Sequence, residues 1–116
     1  MPKRLHHAAD IVSERDVLKM ATVNGYRSQG RGDSGVIKPG FNADLCVVDT
    51  DRVNMYPHND IVNNLVYAAN GSDVALTMVD GKVLYRDGEY TTLDIEKLKY
   101  EVQASSERII AEVNKK

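Results

Sequence analysis

Val74-Ala75-Leu76-Thr77-Met78-Val79-Asp80-Gly81-Lys82-Val83-Leu84-Tyr85-Arg86-Asp87-Gly88-Glu89-Tyr90 is the stretch whose reading decides the fold. Val74 to Val79 is rich in β-formers and reads as a strand. Asp80-Gly81 is a two-residue turn of the I′ kind, which needs positive φ at both central positions. Lys82 to Tyr85 then returns antiparallel. Asp87-Gly88 offers a second turn before Glu89-Tyr90. One short region thus predicts an antiparallel sheet built from local hairpins.

Upstream, Leu45-Cys46-Val47-Val48 is continuously apolar and reads as a strand covered on both faces. Val36-Ile37 reads as a further short strand. Between them, Lys38-Pro39-Gly40-Phe41 fits a type II turn, with Pro at the second position and Gly at the third. Asp49 to Asn63 is polar, contains Pro57, and reads as a connecting loop. Ile61 to Ala69 has room for one or two helical turns.

Helices flank this β region. Ser13-Glu14-Arg15-Asp16 is a capping box, with Val12 and Val17 at the staple positions. Val17, Met20, Ala21 and Asn24 follow at helical spacing. Gly25 is a plausible stop, and Ser28 is the outer limit before the glycine-rich loop from Gly30 to Gly35. At the other end a helix is expected from about Leu93 to Asn114, capped by Thr91 and Asp94. Its apolar face carries Ile95, Leu98, Val102, Ser105 and Ile109. The expected fold class is α+β: a small, mostly antiparallel sheet between an N-terminal helix and a long C-terminal helix, with no complete (β/α)8 barrel. The expected organisation is one small domain over 1–116, divided into 1–34, a β-rich 35–90, and the helical 91–116.

Composition narrows the function. The chain has 116 residues, with 15 Lys+Arg against 17 Asp+Glu. That near balance gives no support for a nucleic-acid partner. No apolar run approaches the ~20 residues of a membrane span, and no apolar segment follows the basic start as in a secretory signal. A cytoplasmic location is expected. At this length roughly 65% of the unfolded surface can be buried, so one modest core is expected. Aromatic residues are 6%, with no Trp, which disfavours a large aromatic-lined cavity. The single cysteine, Cys46, cannot form an internal disulfide.

No catalytic constellation assembles from these residues. The adjacent His6 and His7 would point to opposite faces of a strand, and His58 sits in a polar loop. A hydrolytic metal site needs about three convergent ligands. Cys46, placed in an apolar strand, is expected to be a buried small hydrophobe. No serine lies in a Gly-x-Ser-x-Gly context. The loop from Gly30 to Gly35 lacks the Gly-Lys-Ser/Thr ending of a phosphate loop. Arg31-Gly32-Asp33 and Asn70-Gly71-Ser72 read as chance tripeptides in turns. Asp49, Asp51, Asp80 and Asp87 sit at strand ends and turns, where a structural role suffices.

The motifs nevertheless carry a resemblance. Val17 to Gly25, then Asp33-Ser34-Gly35-Val36-Ile37-Lys38-Pro39-Gly40 and Ala43-Asp44-Leu45, are similar to the C-terminal end of the amidohydrolase superfamily. Asn64 to Val74, with Val79 to Tyr85 and Asp87 to Tyr90, resembles its methylthioadenosine/S-adenosylhomocysteine deaminase and chlorohydrolase branch. The resemblance covers about residues 15 to 112. It implies that 1–34 is a remnant of the last helix of a barrel with its loop, and that 35–90 is half of a composite β-sandwich. It also implies a parent reaction, hydrolytic deamination or dechlorination at a heterocycle carbon, on one divalent metal such as zinc or iron. The family's metal ligands lie on its barrel, and no residue here matches one. No catalytic, cofactor-binding or metal residue is therefore carried over. The expected role is a non-catalytic part, inactive alone. The alternative is a standalone β-rich module for oligomerisation or interaction. The partner is expected to be a second copy or a missing catalytic barrel. Tyr26, Ser28 and Gln29 depart from the small or apolar residues usual in the family. A Gln buried unpaired would cost a few kcal/mol, so the helix is expected to have lost its barrel packing or to have drifted.

Overall fold

The computed structural model describes residues 12–115. In chain order these form α1 (Glu14–Lys19), a π-helical segment (Met20–Asn24), α2 (Gly25–Ser28), β1 (Leu45–Val48), a 3-10 turn (Val53–Met55), α3 (Ile61–Tyr67), a second 3-10 turn (Gly71–Asp73), β2 (Val74–Val79), β3 (Lys82–Arg86), β4 (Glu89–Tyr90) and α4 (Ile95–Val113). The class is α+β, with a four-stranded sheet in the order β1-β2-β3-β4. Every pairing is antiparallel.

The hairpins follow the expected turn chemistry. Asp80 and Gly81 take φ of 50° and 76°, and Asp87 and Gly88 take 46° and 92°. These left-handed values set the register Val79↔Lys82 and Arg86↔Glu89. Lys38 to Phe41 closes as the turn read from sequence: the Phe41 amide donates to the Lys38 carbonyl at 3.2 Å, and Gly40 has φ 85°.

The N-terminal helix begins as read and ends later than Gly25. The Ser13 hydroxyl accepts from the Asp16 amide at 3.2 Å, and Asp16 accepts from the Ser13 amide at 3.2 Å. The Ser13 hydroxyl also donates to the Asp16 carboxylate at 2.7 Å, and that bond, then the one from the Ser13 amide, holds the Asp16 carboxyl below its ordinary value. The helix continues through the π-helical segment and then, as α2, past Gly25 to the Ser28 limit. Within the π-helical segment the Thr22 hydroxyl donates to the Leu18 carbonyl at 2.7 Å, a bond that competes with the regular ladder. The stop is a Schellman motif: Gly30 (φ 75°) donates to the Arg27 carbonyl and Arg31 to the Tyr26 carbonyl.

Several expectations need correction. Val36-Ile37 is not a strand, because no described strand lies beside it to pair with; Ile37 is 90% exposed. β1 is not covered on both faces: it is an edge strand with β2 as its single neighbour, and Cys46 and Val47 are exposed. The stretch Asp49 to Asn63 is not all loop, since it holds the 3-10 turn at Val53–Met55 and the first residues of α3. Thr91 does not cap the last helix. Asp94 does, accepting from the Lys97 amide at 3.0 Å, while the Thr91 hydroxyl donates to the Val83 carbonyl.

The expected core is also much smaller. Met55 is the one fully buried apolar side chain among the described residues. The radius of gyration is 20.3 Å, against about 13 Å for a closed domain of this length. On the helix, Met20 and Ala21 are exposed and Val17 is half-buried. On the sheet, Val74, Leu76 and Met78 are half-buried. Apolar faces made by these elements stay open to solvent.

Gly35 is where helix and sheet connection approach most tightly. It has φ 90°, and a Cβ there would lie 3.0 Å from Tyr26 Cδ2 and 3.1 Å from the Thr22 backbone. Gly35→Ala is expected to destabilise by about 2–4 kcal/mol, read as a lower urea midpoint. An unchanged midpoint would mean that this approach is not maintained in solution.

Candidate functional site

The densest polar cluster is built on Asp44. Its side chain is 2% exposed. One carboxylate oxygen accepts from the Asp80 amide at 2.7 Å, in the β2–β3 turn. The other accepts from Arg31 Nη2 at 3.0 Å. The Asp80 amide, foremost, draws the Asp44 carboxyl below its ordinary range, and Arg31 adds to the effect. Arg31 also donates to the Ser34 hydroxyl at 3.2 Å and lies over the Tyr26 ring at 5.1 Å. Burial, then the Asp44 carboxylate, raise the Tyr26 hydroxyl above its ordinary value. Ser34, only 3% exposed, accepts a further bond from Asn42 Nδ2 and donates to Asp33. The cluster therefore ties the loop after α2 to the strand entry and to a hairpin thirty-six positions away.

This cluster accounts for Tyr26, which supplies a ring beneath Arg31. The feared cost at Gln29 does not arise, because Ser28 and Gln29 are exposed. The Ser28 hydroxyl donates to the Gly25 carbonyl at 2.7 Å.

A second cluster centres on Asp73, 2% exposed. Its carboxylate accepts from the Asn70 amide at 2.9 Å and from Asn54 Nδ2 at 2.7 Å. These bonds, the Asn70 amide first, lower its carboxyl from the ordinary value. Its carbonyl accepts from the Asp49 amide at 2.7 Å, fastening the end of β1. Asn64 Nδ2 bridges the Met55 and Pro57 carbonyls at 2.7 and 3.0 Å. The sequence offered one usable signal here: Asn70 and Asp73 lie at capping-box spacing.

Between the helix and the sheet lies an open groove of about 550 Å³. Leu18, Ala21, Ile37, Cys46, Leu65 and Met78 contribute to its mostly apolar wall. Cys46 is thus exposed rather than buried as expected, because it sits on the uncovered edge strand.

Chemically, these clusters hold structure. His58 is exposed; its Nε2 lies 2.7 Å from the Thr50 carbonyl, and its ring stacks on Tyr56 at 4.2 Å. His6 and His7 lie outside the described residues. No three His, Cys, Asp or Glu side chains come together as a metal-ligand group among the described residues. Asp44 accepts at both oxygens and Asp73 twice at Oδ2, each without two further ligand-type side chains beside it, so this donor set does not fit a catalytic divalent metal.

Comparison with known proteins gives a consistent family picture. The sequence model described as "Amidohydrolase family" matches residues 1–84. A 5-methylthioadenosine/S-adenosylhomocysteine deaminase of Dictyoglomus thermophilum is 43% identical over 99 residues, 85% of this chain and 23% of the relative. A 5'-deoxyadenosine deaminase of Methanosarcina mazei is 43% identical over 100 residues, again 23% of its length. Among solved structures, a zinc-bound adenosine deaminase from Xanthomonas campestris matches with TM-score 0.82 at 29% identity, over 85% of this chain and 23% of that one. An atrazine chlorohydrolase from Arthrobacter aurescens, complexed with zinc, gives TM-score 0.75 at 27% identity, over 87% and 24%. The chain spans about a quarter of the length of the relatives it matches.

The Asp44 cluster makes two predictions. Ser34→Ala removes a buried acceptor shared by Arg31 and Asn42, and is expected to cost about 1–2 kcal/mol in a denaturation titration. Asp44 and Asp73 have folded-state pKa values below their unfolded ones. Their contribution is therefore present above about pH 4 and lost as pH falls through the folded values. Asp44→Asn should lower the thermal midpoint at pH 7 and flatten the acid limb below about pH 4. An acid limb unchanged in that variant would show that Asp44 does not carry it.

Proposed function

The chain belongs to the amidohydrolase family, and from that premise we propose that it is a non-catalytic, C-terminal part of a metal-dependent hydrolase of the deaminase and chlorohydrolase branch. One observation carries the reading. A chain that matches a zinc-bound adenosine deaminase over 85% of its own length accounts for 23% of that enzyme, and its described residues assemble no metal-ligand group. The parent reaction is hydrolytic displacement of an amino group or chloride from a heterocycle carbon. In the parent, one divalent metal, zinc or iron, would supply the activated water.

On this reading the chain's work is structural. Asp44 and Arg31 fix the helix-to-sheet connection, and the hairpins hold the sheet face at a set angle to the helix. The groove lined by Leu18, Ile37, Cys46 and Met78 is the surface on which a catalytic barrel packs. Each large apolar side chain covered there contributes about 1.5–3 kcal/mol. Among the described residues no helix is long and apolar enough to cross a membrane. A cytoplasmic, reducing location suits the exposed Cys46 thiol. A second reading, a β-rich module that pairs with another copy, is favoured by the exposed apolar residues of α4, such as Val102 and Ile109.

The test is an assay of the purified 116-residue protein after exposure to zinc and dialysis, with 5-methylthioadenosine and 5'-deoxyadenosine as substrates. The expected result is no ammonia release and well under one zinc per chain. Stoichiometric zinc together with deamination would overturn the proposal.

A further inference from the structure

α4 is the one long helix among the described residues, 19 residues or about 28 Å, and it stands uncovered. Every residue from Glu96 to Val113 is exposed, while Ile95 alone is half-buried at its base. Its exposed apolar side chains include Tyr100, Ile110 and Val113, and beside them runs one regular line. Ile95, Leu98, Val102, Ser105 and Ile109 recur at alternating intervals of three and four, the spacing of a helix-pairing seam. Ser105 and Ser106 are small. They leave the helix surface shallow and open between Leu98 and Val102 on one side and Ile109 and Ile110 on the other.

We propose that α4 pairs antiparallel with α4 of a second copy of this chain, about a two-fold axis between Val102 and Ser105. This deepens the self-association reading and does not depend on where catalysis resides. Two-fold symmetry makes each contact reciprocal. Centring the pair there sets Val102 against the partner copy's small Ser105, and Leu98 against its Ile109. Leu98 and Ile109 are 45% and 55% exposed in the single chain. In this register Glu112 meets Ile95 of the partner copy, so the apolar part of the seam ends at the Leu98 and Ile109 layer.

The charges beside the seam choose the direction. In this antiparallel register the flanking residues that meet are Glu101 with Arg108, twice by symmetry, and Asp94 with Lys115. All are opposite in sign. A parallel pair would instead keep one opposite-charge contact, Asp94 beside Lys99, and would place Glu101 beside Ser106 and Arg108 beside Val113, with no charge partner for either. Within the single chain Glu101 has only a 3.8 Å exposed pair with Lys97, which binds it weakly. Arg108 makes no ion pair among the described residues.

Sedimentation equilibrium of the 116-residue protein at low ionic strength tests this, together with two single variants and their combination. The unmodified protein should dimerise in the micromolar range. Glu101→Arg or Arg108→Glu alone sets like charges against each other at both symmetric positions, and should raise the dissociation constant about tenfold. The double variant restores opposite charges and should return to within about threefold of the original. A monomer at every concentration overturns the proposal. So does a dimer indifferent to the single swaps, which would place the contact elsewhere or in parallel. Neither result bears on the zinc and deaminase assay, so the two readings fail separately.

Discussion

The ionised carboxylate of Asp44 is the constraint on which the remaining geometry depends. It is almost fully buried, and a buried charge persists only when its lone pairs are met. Two donors meet them, and they come from opposite ends of the fold: Arg31 in the loop that leaves α2, and the Asp80 amide in the β2–β3 turn. Because one side chain answers to both, the helix, the strand entry and the hairpin hold a common position. The Ser34 hydroxyl accepts from Arg31 at 3.2 Å and from Asn42 at 3.3 Å, which gives Arg31 a second anchor. The Asp73 cluster does similar work at the far end of β1, through its carbonyl and the Asp49 amide.

Polar ties of this kind carry weight because the apolar core is so thin. With Met55 the one fully buried apolar side chain among the described residues, the fold lacks the dense interior that usually fixes the relation of helix to sheet. What the helix and sheet do possess is a set of apolar faces turned outward. β1 offers Val47, the groove offers Ile37 and Cys46, and α4 offers Leu98, Val102 and Ile109. Among the described residues these faces stay open to solvent.

Legibility in the sequence tracked the range of the forces involved. The capping box at Ser13, the Pro39-Gly40 turn and the Asp80-Gly81 and Asp87-Gly88 hairpins were all readable, since each is decided by residues within a few positions. Family membership was readable too, from motifs that include Ala43-Asp44-Leu45, although the pairing of Asp44 with Arg31 and the Asp80 amide was not. Errors arose where a conclusion needed to know what lay opposite. The apolar run at Leu45–Val48 reads the same whether or not something covers it, so Cys46 was expected inside. Val36-Ile37 has strand composition, yet a strand exists only beside another. Of the two ends read for the first helix, Gly25 did not stop it, because propensity is local, and Ser28 did, since α2 runs from Gly25 to Ser28.

From residues alone came the hairpins, the helix starts, the α+β class and the family, because dihedral preference, capping and short hydrogen bonds act over a handful of neighbours. Only the folded arrangement decided which apolar faces are covered and which stay open. It also decided that Asp44 would join Arg31 to the Asp80 amide, and that β1 would be an edge. Those outcomes depend on chain segments distant in sequence meeting in space, and burial has no meaning until they meet.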